Sequence, residues 1–549
     1  MEFIKQSMTK FPSFLPKSLI LQTLTALICI FFFRTCNAID TLPNYDLGCV
    51  TLDPLKNGFT ISGNAANDAT GIPVSSAGDI DNDGYDDIIV AAYYKNGAQG
   101  AVYVIYGGPT SSLLNIDLSS QTLDPATTGF KLTGRTSGDY FGWSAGSAGD
   151  INNDGYDDII IGAHLENSFQ GRAYVIYGGP RSSMSNIDFS VSTTVLDPKT
   201  TGFMITGSSA NSYLGNSVSS AGDINNDGYD DVIMGAYRTN SYHGAVYVIY
   251  GGEKSSMSNW DFSTGTTLDP HTTGFKITGA LAADALGYSV STAGDFNNDG
   301  YDDILIGAIG KSSNKGVVYV IYGGPTSSMS NIDLSLSTTT LDPATTGFTI
   351  TGNAAGDLFG RPVNLAGDIN KDGYDDIIIG PYAKNSNQGA VYVIYGGPTS
   401  SFSNLDLGST TLDPATTGFK ITGSKTGDAL GFGVSTAGDI NKDGYDDIIV
   451  GAYGYSAGMG RAYVIYGGPK SSMSNIDFSL STTTLDPVTT GFTITGNAAG
   501  DYLGVWVSTA GDINNDGYDD IIIGAQGVNG GRGAAYVIHN GTLIDPYDI

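Results

Sequence analysis

Cysteine, histidine and basic residues are all scarce in this sequence. Three cysteines in 549 residues cannot build a disulfide scaffold. The four histidines, His164, His243, His271 and His539, are scattered, which argues against a histidine-rich metal centre. Only 25 Lys+Arg face 55 Asp+Glu, and a formal charge of −30 repels phosphate, setting aside nucleic acid and anionic lipid as partners. No segment holds a 3.6-residue apolar period with helix caps, so helix is expected to be rare. What is abundant is glycine, with 77 residues, and aromatic side chains, with 33 Tyr and 22 Phe. A hydrophobic content of 40 % supplies a large core and excludes a disordered chain.

The first 38 residues read as an address. Lys5, Lys10 and Lys17 precede the apolar run from Leu19 to Phe33, and Cys36-Asn37-Ala38 follows, the order of a secretory signal cleaved after Ala38. A retained anchor is the alternative, but Gln22, Thr23 and Thr25 interrupt a stretch already short of the roughly 20 residues a span needs. Arg34 and Thr35 do not suit a lipoprotein site at Cys36. Cleavage removes one acid and four bases, moving the formal charge from −30 to −33, and leaves Cys49 as the only thiol. No later apolar segment is long enough to span a membrane, so the mature chain is expected to be exported and soluble.

The remainder is one unit repeated seven times. Asp-Ile-Asn-Asn-Asp-Gly-Tyr-Asp-Asp, or a close variant, starts at Asp79, Asp150, Asp223, Asp295, Asp368, Asp439 and Asp512, at spacings of 71 to 73 residues. Each unit holds four segments of strand character, exemplified by Gly129–Gly134, Leu286–Ser291, Ile159–Ala163 and Ala173–Tyr177. Four strands in seven units predict an all-β, seven-bladed β-propeller of four-stranded blades with calcium-binding loops. Repeat boundaries fall near 58–128, 129–201, 202–273, 274–346, 347–417, 418–490 and 491–549. An open solenoid would need terminal caps that the sequence does not show.

Each Asp-rich loop carries oxygen ligands at positions 1, 3, 5 and 9, with glycine at 6 and a tyrosine carbonyl at 7. The candidate ligands in chain order are Asp79, Asp81, Asp83, Tyr85 and Asp87, then Asp150, Asn152, Asp154, Tyr156 and Asp158. Asp223, Asn225, Asp227, Tyr229 and Asp231 follow, then Asp295, Asn297, Asp299, Tyr301 and Asp303. The last three sets are Asp368, Asn370, Asp372, Tyr374 and Asp376; Asp439, Asn441, Asp443, Tyr445 and Asp447; and Asp512, Asn514, Asp516, Tyr518 and Asp520. Hard oxygens around a glycine turn suit Ca²⁺, up to seven ions in all. An EF-hand would place Glu at position 12, where this chain has Val90, Ile161, Met234, Ile306, Ile379, Val450 and Ile523. A bare Asp/Asn-Gly hairpin would leave converging carboxylates to repel one another seven times over. The Asp at position 8, Asp86 in the first loop, has no assigned ligand role and could brace a neighbouring backbone amide.

With Phe141-Gly142 and Phe359-Gly360 before the second segment, the loop after it, and Gly162-Ala163 or Gly380-Pro381 after the third, the units resemble FG-GAP repeats. These are the modules of the integrin alpha-chain N-terminal propeller. The resemblance covers about residues 42–541. It implies that the calcium loop joins the two innermost strands of a blade, on the face away from the ligand, and that Phe59–Gly63 completes the last blade. Integrin alpha chains carry such loops in only some blades, whereas all seven units here have one. No inserted ligand-binding domain and no zinc catalytic domain accompanies them.

The loops between third and fourth segments of the motif order vary from copy to copy, and strand parity puts them opposite the calcium. Tyr94, His164, Tyr237, Arg238, Tyr382 and Tyr453 are the candidate ligand-face residues. The expected function is therefore an adhesion or extracellular recognition module, binding a protein or glycan as a monomeric propeller. The alternatives are a structural surface or matrix protein, and a polysaccharide-acting enzyme, for which no once-only catalytic constellation is visible. No catalytic residues are assigned, and relaxed loops without a ligand remain the plain alternative for the variable face.

Overall fold

The computed structural model describes residues 45–539. The leader reading of residues 1–38, and the sequon at Asn540, lie outside them. Seven sheets follow one another, and each is built the same way. In the third blade the innermost strand is Ser217–Gly222, followed outward by Asp231–Ala236, Ala245–Ile249 and Gly274–Thr278, all antiparallel.

The second strand is buried at every position, which is why its sequence is an unbroken apolar run. The third strand alternates between two neighbours. Ala245, Tyr247 and Ile249 pack with Ile160, Val175 and Phe203 of the preceding blade, whereas Val246 and Val248 pack with Ile304, Ile306 and Tyr319 of the following one. The core thus lies between blades. No blade can bury its faces alone.

A fifth strand, absent from the sequence reading, edges every blade. It has two residues, runs parallel to the fourth and comes from the connector of the next repeat; Ile332–Asp333 pairs with Ile277 and Thr278. Asn331 holds it in register, its side-chain oxygen accepting from the Lys276 amide at 2.7 Å. Two residues embedded in a Ser/Thr-rich connector give no period to detect.

The ring closes as the resemblance implies. Gly58–Ser62 pairs antiparallel with Ala534–Ile538 as fourth strand of the last blade. Tyr45–Asp46 supplies the edge strand of the sixth blade by pairing with Ile494 and Thr495. Cys49, in the turn after it, is disulfide-bonded in the uncleaved chain; the expectation of a lone thiol concerns the chain cleaved after Ala38. The four-residue helical turns between second and third strands, such as Thr239–Tyr242, contain left-handed residues and are not true helices. Helix is rare, as expected.

Acidic loops at one end and an aromatic rim at the other

Each Asp-rich loop joins the innermost strand to the second. In the third blade Asp223 accepts from the backbone of Asp227 at 3.0 Å and of Gly228 at 2.8 Å, closing the turn. Asp227 accepts from the Tyr229 amide at 3.2 Å. Position 4 takes the left-handed conformation, with φ of 52° at Asn226, which Asn tolerates better than most side chains. Asp231, fully buried, accepts from the Ile224 amide at 3.1 Å and the Gly251 amide at 2.8 Å.

The position-3 side chain is the telling one. Asn225 is buried, its amide nitrogen reaches Asp231, and its Oδ1 has no partner. The same orphaned oxygen recurs on Asp81, Asn152, Asn297, Asn370 and Asn514. Asn441 differs, since its Oδ1 accepts from the Asp443 amide. A buried acceptor without a donor is costly, and six repetitions of it call for a ligand. Asp79, Asp81 and Asp87 each bring a carboxylate oxygen within 4.8 Å of the others. Burial pushes the position-9 carboxyls, Asp87, Asp158, Asp231, Asp303, Asp376 and Asp447, well above the usual carboxylate range. Hard oxygens, an unsatisfied acceptor and buried acids together fit a divalent cation.

Position 8 faces elsewhere. Asp302 accepts from the backbone amide of Asp223, position 1 of the preceding blade's loop, at 2.8 Å. The bond repeats at each interface, and Asp86 accepting from Asp512 at 2.8 Å carries it across the ring closure. Position 8 is therefore an inter-blade brace.

At the opposite end the second strands lead into the variable loops. Tyr93 meets Trp143 at 5.1 Å between ring centroids, Trp143 meets His164 at 4.8 Å, and His164 meets Tyr213 at 5.8 Å. Tyr213, Tyr237 and Tyr288 continue the series at 5.5 and 5.1 Å. The Arg361 guanidinium then bridges the rings of Tyr288, Tyr382 and Phe432, at 5.9, 4.6 and 4.7 Å. Tyr453 and Tyr502 end it.

All six ligand-face candidates meet this rim: Tyr94 packs on Tyr93, and Arg238 stacks over Tyr213 and Tyr242. His164 needs correction as a surface residue. It is 7 % exposed and fills the space between Trp143 and Tyr213, so it shapes the rim from beneath. Trp143, Tyr288, Arg361 and Phe432 were missed because they start innermost strands, far in sequence from the variable loops. They also line the central channel, about 450 Å³. The rim loops turn through consecutive left-handed residues, Asn240, Ser241 and Tyr242 in the third blade, and leave Tyr242 and Phe169 exposed.

A closed propeller with one glycine-turn acidic loop per blade is the class these features define. The FG-GAP repeat family matches at residues 74–105, 141–176, 214–249, 286–321, 363–394, 431–465 and 504–538, one match per blade. The chain is an FG-GAP repeat protein and resembles the N-terminal propeller of integrin alpha chains. Integrin alpha-5 of Xenopus laevis is 29 % identical over 299 residues, 52 % of this chain and 24 % of that protein. Integrin alpha-8 of Mus musculus is 32 % identical over 254 residues, 44 % of this chain and 20 % of that protein. The chain thus spans about a quarter or less of the curated relatives it matches. Sqt1 of Chaetomium thermophilum superimposes with a TM-score of only 0.41 at 10 % identity, covering 88 % of this chain and 98 % of that one, too loosely to bear on function.

Proposed function

We propose that this chain is an exported, calcium-binding propeller that acts as an adhesion or extracellular recognition module for a protein or glycan. The two-ended layout carries this reading. Acidic loops with an unsatisfied buried acceptor occupy one end, and a continuous aromatic and guanidinium rim surrounds the channel at the other. Calcium, up to seven ions, holds the loops and through them the blade interfaces; it takes no part in chemistry. The exposed rings of Tyr94, Tyr242 and Tyr502 and the half-buried Tyr237, Arg238, Tyr382 and Tyr453 form the contact surface. Rigid amphipathic rings give contact area at small entropic cost, which suits recognition. Export through a leader ending at Ala38 and the seven-repeat division of residues 39–549 belong to the same proposal.

The test is capture. The chain secreted into culture medium is immobilised and presented with matrix and cell-surface extracts, in calcium and in chelator. A partner retained in calcium and lost on Tyr94→Ala with Tyr242→Ala supports the rim as the contact surface. A partner that binds both proteins equally sinks the rim assignment. Absence of any partner for the folded bait favours the structural matrix alternative.

A further inference from the structure

Among the described residues, six of the seven acidic loops are covered by the next blade. After the third strand the chain runs Tyr-Gly-Gly, and the second glycine's amide donates to the position-2 carbonyl of the preceding loop. Gly179 donates to Ile80, Gly252 to Ile151 and Gly468 to Ile369, each at 2.9 Å. Gly324 to Ile224, Gly397 to Phe296 and Gly108 to Ile513 repeat the contact at 2.9, 3.0 and 2.9 Å. The residue two places further on is thereby carried over the preceding loop. It is Arg181, Lys254 or Lys470 in three blades, and Thr326, Thr399 or Thr110 in three others.

The three cations reach the acids. Arg181 bonds Asp81 and, at 2.5 Å, Asp83; Lys254 bonds Asp154; Lys470 bonds Asp372 at 2.5 Å. Each arm also lies over a tyrosine of the blade it reaches, Tyr106, Tyr177 and Tyr395, at 4.5, 5.0 and 4.9 Å. Two contacts per arm fix the charge where it is, in a half-buried setting. The loops beneath share one feature on both sides of this division. The unpartnered buried oxygen belongs to Asp81, Asn152 and Asn370 under the arms, and to Asn225, Asn297 and Asn514 under the threonines.

We propose that Arg181, Lys254 and Lys470 are resident counter-cations that divide the loops into two affinity classes. The inference rests on the calcium reading above and adds its regulation. Loops 223–231 and 295–303 have no such arm over them and bind calcium first; loop 512–520 is set apart by His539, whose Nδ1 lies 3.1 Å from Asp520, and by Lys442 over Tyr518 at 4.7 Å. Loops 79–87, 150–158 and 368–376 bind it only against the arm, either by displacing the charge or by tolerating it a few ångströms from a divalent ion. Like charges at that separation repel enough to weaken binding about tenfold or more. Without calcium the same arms neutralise their loops, so those three interfaces stay assembled at concentrations where the others have lost their metal. Loop 439–447 is assigned to neither class, because the chain after His539 lies outside the described residues.

Calcium titration of the chelator-stripped full chain by calorimetry tests this. Three weak sites per chain are expected, separated by about tenfold or more from the tight class. Replacing Arg181, Lys254 and Lys470 together by Thr, the residue other repeats carry there, merges the weak sites into the tight class. The reciprocal Thr326→Lys places an arm over Asp227 and moves one site from tight to weak. A single affinity class in the unaltered chain, or weak sites unmoved by the triple replacement, overturns the arms while leaving calcium binding intact. No calcium uptake by either protein overturns the calcium reading and the arms with it.

Discussion

At the scale of single residues, Asn225 separates the metal account from a bare turn. Its Oδ1 has no protein partner and its amide is 3.4 Å from Asp231. Asn225→Ala should therefore shift unfolding in chelator by less than about 1 kcal/mol, one weak hydrogen bond at most. In millimolar calcium the loss should be larger by about 1.4 kcal/mol, the contribution of one site with Kd near 10⁻⁴ M. Equal losses in both buffers, read from urea unfolding, would remove Asn225 from the ligand set. His164 carries a different prediction. Burial among Trp143, Tyr140 and Tyr213 pushes its pKa from 6.5 down to about 3. Its folded value lies below its unfolded one, so the unfolded chain binds the extra proton between those limits. The stability from neutral His164 is present above pH 6.5 and drains away below it, at up to about 1.4 kcal/mol per pH unit. His164→Phe should flatten that part of the profile; superimposable urea midpoints from pH 7 to 4 for the two proteins would contradict it.

At the scale of the element, the loop and the following blade form one unit. Gly222 has φ +65°, and a Cβ there would lie 2.1 Å from Oδ2 of Asp302. Gly222→Ala should cost about 1–3 kcal/mol by expelling the carboxylate and leaving the Asp223 amide unpaired. Asp302→Ala should cost a similar amount. The double variant should then cost much less than the sum, because both changes break the same bond. Additive losses would show that the two act separately. This brace marks a limit of what sequence reveals. The loops were legible because ligand spacing, glycine turn and apolar flank all fall within a dozen residues. Position 8 could be read as a brace for a neighbouring backbone amide but not matched to one, its partner lying 79 residues away at Asp223. The arms were invisible for the same reason, Lys254 and Asp154 standing 100 residues apart. The two-residue edge strands exist only by pairing with a neighbouring repeat, so no local pattern announces them.

At the scale of the whole molecule, closure makes seven blades one cooperative body. Ile61, fully buried, stands opposite Ala535 across the seam between the chain's two ends. Ile61→Ala should cost about 2–5 kcal/mol, and the loss should appear as a shift of one common transition. A separate early transition by fluorescence, with circular dichroism unchanged, would mean that the seam opens alone. The aromatic rim was half legible: the variable loops pointed to Tyr237 and Tyr453, whereas Trp143 and Arg361 join them only once the ring is closed. At the opposite end lie the proposed calcium sites, where an ion in each loop would fill the role that disulfides fill elsewhere. Thermal unfolding in millimolar calcium and in chelator is the most direct measurement of that role. With three to seven sites engaged, calcium should stabilise the chain by roughly 4–10 kcal/mol, a shift of many degrees in Tm. Coincident transitions in the two buffers would contradict a calcium-stabilised propeller.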